Sequence, residues 1–73
     1  MYNQEANIMP LINRAHKCHG LFHGSESQNG GIWMQFIFNR QGDMDRFNHR
    51  LQFENLGKLS KLGDMPLSIK VMI

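Results

Sequence analysis

The sequence predicts a small α+β domain: a three- or four-stranded, mainly antiparallel sheet with one N-terminal helix packed on one face and a short helical turn before the C-terminal strand. Three observations lead there. Apolar residues recur at helical spacing after Pro10. The period then changes to strict alternation from Ile32 onward, and alternation returns at Leu67–Ile73. At 73 residues with one Cys, the chain has room for one domain over 1–73 and no disulfide to staple it. Folding at this size buries only about 60% of the open chain's surface, so a marginal fold or one helped by a partner is expected.

From Tyr2 the chain reads as a flexible lead running into a short helix. Pro10 suits a first helical position, Leu11, Ile12 and Ala15 share one side, His19 follows a turn later, and Gly20 is the stop. Ser25–Gly31 (SESQNGG) is small, polar and Gly-rich, which predicts a loop. Leu21, Phe22 and His23 before it fit a short strand or an extended linker equally well.

Ile32, Met34, Phe36 and Phe38 alternate with Trp33, Gln35, Ile37 and Asn39 as in a strand. Phe47, His49, Leu51 and Phe53 alternate with Arg46, Asn48, Arg50, Gln52 and Glu54, and read as a second strand. Arg40-Gln41-Gly42-Asp43 lies between as a hairpin turn. With Arg40 facing Asp43, Phe36 meets Phe47 and Ile32 meets Leu51 on one face, and Trp33 meets Arg50 on the other. In Asn55–Gly63, Leu56, Leu59 and Leu62 at three-residue spacing predict one or two helical turns, ended by Gly63 and Pro66. Leu67–Ile73 is the third strand, with an unprotected edge. The expected core is Leu11, Ile12, Ile32, Met34, Phe36, Phe47, Leu51, Phe53, Ile69 and Val71.

Composition narrows the functional classes. The 41% hydrophobic content and net charge of +2 exclude a wholly disordered chain. No apolar run reaches the roughly 20 residues of a membrane span and nothing resembles a signal peptide, so a cytoplasmic location and no membrane partner are expected. The basic residues are scattered, without the concentrated stripe of many nucleic-acid binders.

His16, Cys18, His19 and His23 are zinc-type donors, with His49 as a conceivable outside ligand. Their spacing matches no paired zinc pattern, so no cofactor is expected; zinc through these four is the minority alternative. Cys18 and His19 are neighbours on a helix and point about 100° apart, which argues against a nucleophile–base pair. No enzymatic activity and no small-molecule substrate are expected.

The outer sheet face carries the binding expectation. Trp33 and Ile37 beside Arg46 and Arg50, with Lys70 and Met72 nearby, have the composition of a protein-contact surface. The chain is therefore expected to be a non-enzymatic protein-binding module: a regulator, adaptor or inhibitor of the kind found among phage and mobile-element accessory proteins. Its partner would be a larger protein or its own copy, met through an open sheet face or edge strand. The alternative is single-stranded nucleic-acid binding, with Trp33 stacking bases and the basic residues holding phosphates. One aromatic on the face, where sheet-based RNA readers present two or three, favours protein.

Overall fold

Four antiparallel strands make one sheet in the order β1-β2-β4-β3, and two helices pack on one of its faces. The computed structural model describes residues 5–28 and 30–73; the lead from Tyr2 lies mainly outside them. The elements are α1 (Glu5–Lys17), β1 (Leu21–Gln28), β2 (Gly31–Ile37), α2 (Gln41–Phe53), β3 (Leu59–Leu62) and β4 (Ser68–Met72). The α+β class, the N-terminal helix on the sheet and the strand before the C-terminus agree with the sequence. The core joins Leu11 and Ala15 of α1, Cys18 just beyond it, Met44, Phe47 and Leu51 of α2, and Met34, Phe36, Ile69 and Val71 of the sheet.

Helix α1 buries Leu11 and Ala15, and the turn after it buries Cys18, at steps of four and three, the stripe that meets a flat surface. Pro10 is not its first residue but lies inside it, where it removes one main-chain bond. The helix ends in a left-handed residue, His19 (φ 61°), rather than at Gly20. The Gly20 N–H donates to Ala15 O (2.7 Å) and the His19 N–H to His16 O (3.1 Å), which satisfies two terminal carbonyls. Gly20 is needed for another reason: the Phe38 ring occupies the space a Cβ would fill.

Residues 41–53, expected to hold the second hairpin strand, form helix α2. Phe47 and Leu51 are four apart, a step that satisfies both an alternating and a helical pattern. Met44 decides between them, because 44, 47 and 51 share one helical face and all three are buried. Gln41–Phe53 contains no β-branched residue. Asp43 sits in the first turn and Arg50 in the last, complementing the helix dipole. Asn55 in the left-handed region (φ 54°) closes the helix, with the Leu56 N–H donating to Leu51 O (2.9 Å). The phenylalanine expected inside at position 53 is consequently 72% exposed, and Ile12 and Ile32 are only partly buried against the core.

The expected Ser25–Gly31 loop is mostly strand. β1 pairs with β2 from Leu21↔Ile37 to Gln28↔Gly31, with a bulge between Phe22 and Gly24. Gly30 follows with φ +80°, a backbone conformation that suits glycine. The expected helical turns over Asn55–Gly63 give way to β3. Gly57 (φ +78°) turns the chain against Val71, whose side chain fills the place of a Cβ there. β3 then pairs with β4 from Leu59↔Met72 to Leu62↔Ile69. β4 therefore lies inside the sheet, and the unprotected edge expected at Leu67–Ile73 belongs to β3.

Phe36 is fully buried, with Phe22 and Phe47 packed against it at 5.7 and 5.2 Å between ring centroids. Phe36→Ala is expected to cost about 3–5 kcal/mol, enough to unfold a domain of this size. Phe53→Ala should leave the thermal unfolding midpoint nearly unchanged, because its ring is already in water. A melt in which the two variants behave alike would contradict the orientation of α2.

Candidate functional site

The face of the sheet opposite the helices carries the side chains that alternate away from the core. The registers place Trp33, Gln35 and Ile37 of β2 beside Ser68, Lys70 and Met72 of β4, flanked by Glu26 of β1 and by Leu59 and Lys61 of β3. Of the expected contact residues, Trp33, Ile37, Lys70 and Met72 therefore come together. Arg46 and Arg50 do not join them. Both sit on α2, on the far side of the sheet, near Asp43 (3.6 Å) and Glu54 (3.9 Å) respectively.

Electrostatics explain how this face covers itself. Lys61 and Lys70 are direct cross-strand partners, an unfavourable pairing of like charges. The two ammonium groups diverge. Lys70 Nζ donates to Glu26 Oε1 (2.8 Å) and Asp64 Oδ2 (3.1 Å); the lysine itself is buried, while both carboxylates are exposed. Lys61 turns over the indole of Trp33, 4.4 Å from the ring centroid, a cation–π contact of about 0.5–2 kcal/mol. Lys61 thus takes the place expected of Arg50, and Trp33 is left only 8% exposed. It is no open stacking platform. Beside it lies a shallow cavity of about 180 Å³ lined by residues that include His23, Glu26, Trp33, Gln35 and Lys70.

The hydrogen bonds that Lys70 donates to Glu26 and then to Asp64 raise its pKa above the ordinary value of 10.5. Folding thus favours the protonated amine.

The His/Cys set is dispersed by the end of α1. Cys18 is buried in the core, while His16, His19 and His23 are exposed. His49 stacks on Phe53 (6.3 Å between centroids). Among the described residues no three His, Cys, Asp or Glu side chains gather as metal ligands. Nor is any helix there long and apolar enough to cross a membrane.

Sequence reasoning missed the β3 edge. All four residues of β3 are exposed, with Leu59 at 59% and Leu62 at 74%. The Gly63 N–H donates to Ser68 O (2.9 Å), which makes Leu62↔Ile69 a non-hydrogen-bonded pair. Alternation then directs the main-chain groups of Ser60 and Leu62 outward, away from β4. On the helix side a groove of about 320 Å³ runs between α2 and this edge, lined by residues including Met44, Asp45, Asn48, Gln52 and Leu62. Gly57 and Gly63 bracketing Leu-Ser-Lys-Leu were the available signal.

Comparison with protein families, with characterised proteins and with solved structures finds no match.

Two outcomes follow. The stability gained from Lys70 is intact below about pH 10, where the amine is protonated folded or unfolded, and is lost as the pH rises through the raised folded-state value. Lys70→Met should flatten this alkaline limb of a stability-versus-pH curve. Lys61→Ala should uncover the indole and shift Trp33 fluorescence to longer wavelength; an unchanged spectrum would mean that other groups shield the ring.

Proposed function

We propose that the chain is a non-enzymatic protein-binding module, a regulator, adaptor or inhibitor of a reducing compartment, that docks by accepting a strand along β3. The contrast between the two sheet edges carries this reading. β1 has the usual protections of an edge: a bulge and a polar run from Ser25 to Gln28. β3 has no bulge in its pairing with β4 and offers a leucine to each face of the sheet. Its one charged residue, Lys61, folds its ammonium back over Trp33, away from the guarding role an edge lysine ordinarily fills. Strand addition uses such an edge through main-chain hydrogen bonds, with alternate side chains giving selectivity.

The non-enzymatic part rests on the separation of Cys18, sealed in the core, from the exposed histidines. The nucleic-acid alternative has less support. Its stacking residue is covered, one of its cations is paired with two carboxylates, and its two arginines lie on the other side of the sheet.

Ser60→Pro tests the reading. The Ser60 N–H points outward, so proline removes a docking donor without removing a bond to β4. The immobilised wild-type chain is expected to retain a partner from an extract of its source cells, and the folded Ser60→Pro chain to lose it. Equal retention by both would overturn strand addition at β3.

A further inference from the structure

We propose that β3 accepts an extended peptide of a partner protein, with a basic residue opposite Leu62, a small polar one opposite Ser60, and aliphatic residues at the alternate positions. The inference rests on the strand-addition reading and names the chemistry of its occupant. An added strand running antiparallel, like every neighbour in this sheet, exchanges its hydrogen bonds with the outward main-chain groups of Ser60 and Leu62. Side chains of directly paired residues share a face of the sheet. Ser60 and Leu62 are paired with Val71 and Ile69, which belong to the core under the helices. The two hydrogen-bonded residues of the incoming strand therefore face α2. Those opposite Lys61 and Leu59 face the side of Trp33.

On the helix side these residues meet a polar stripe. Gln41, Asp45, Asn48 and Gln52 recur along α2 at steps of four, three and four, on one face, and line the groove beside β3. The stripe is about 16 Å long and β3 about 13 Å, so one covers the other. Gln52 also borders a hollow shared with Leu59 and Ser60, and Asp45 lies two helical turns back, toward Leu62. Asp45 is exposed; it accepts a hydrogen bond from the Gln41 side chain (2.9 Å) and makes no salt bridge among the described residues. Lys61, the other charged residue bordering the groove, holds its ammonium over Trp33 on the opposite face. The helix side thus offers an uncompensated carboxylate near Leu62, which selects lysine or arginine, and amides near Ser60, which suit a hydroxyl or amide. On the other face, Leu59 and the stem of Lys61 suit aliphatic side chains. Along the added strand the order is basic, aliphatic, polar, aliphatic. A slip of one residue would carry the basic group to the side of Lys61.

Fluorescence anisotropy of labelled synthetic peptides, titrated with the full chain at low salt, is the test. The probe is Gly-Ser-Arg-Val-Thr-Val-Ser-Gly, compared with the peptide in which glutamate replaces the arginine. The wild type is expected to bind the arginine peptide more tightly by roughly tenfold, with the gap narrowing as salt rises. Asp45→Lys should invert that order, the sign of a direct charge pair. Ser60→Pro should abolish binding of both peptides. Circular dichroism on each variant checks that it remains folded. Equal binding of the two peptides, lost in Ser60→Pro, overturns the basic position while strand addition stands. A preference for arginine that Asp45→Lys leaves unchanged overturns the register proposed here. Binding of neither peptide overturns the occupant, while strand addition is still judged by the capture experiment. Binding that survives Ser60→Pro overturns both the occupant and its place on β3.

Discussion

A sheet has two faces, and the two helices described here cover only one of them. Both settle on the side of Phe36, where Phe47 of α2 packs between the rings of Phe36 and Phe38, 5.2 Å from each. Arg14 of α1 reaches Glu54 at the end of α2 (2.8 Å) and ties the helices together along their exposed side. The other face is left to cover itself with its own side chains. Lys70 does so by pairing with two carboxylates, and Lys61 by lying over Trp33. These local arrangements follow from having no third layer, and they also fix where the polar groups of the edge can go.

The parts of the fold legible in the sequence are those where a single period fits. Ile32–Phe38 alternates without ambiguity, as does the strand before the C-terminus, and both lie at the centre of the sheet. Residues 41–53 were misread because Phe47 and Leu51 satisfy two periods at once, and because an apparent turn at Gln41-Gly42 made a hairpin attractive. Met44 and Asn55 held the distinguishing information: the first completes a helical stripe, and the second can take the left-handed conformation that ends a helix. Leu56, Leu59 and Leu62 misled in the opposite sense. Their spacing is helical, yet Gly57 and Gly63 interrupt the segment, and cross-strand pairing with β4 outweighs a weak local preference.

The candidate site was half legible for the same reason. Alternation along β2 and β4 places Trp33, Ile37, Lys70 and Met72 on one face whatever the neighbouring strand is. Arg46 and Arg50 joined them only through the mistaken hairpin, and they leave with it. The cation over the indole comes from β3, a strand that local sequence did not reveal. Which groups cover Trp33 is thus a tertiary fact, settled by strand order.

The short connection from α2 into β3 has a thermodynamic consequence. Asn55 and Gly57 both hold left-handed dihedrals, the Leu56 N–H is tied to the last turn of the helix, and the Lys58 N–H donates to Met72 O (2.7 Å). The connection is thereby held to α2 at one end and to β4 at the other just before the edge strand begins. A strand added there, as proposed above, would meet a segment that folding has already straightened. The entropy of straightening β3 was lost when the domain folded, so strand addition would cost translational and rotational freedom and the visitor's own ordering, with no further ordering of this edge.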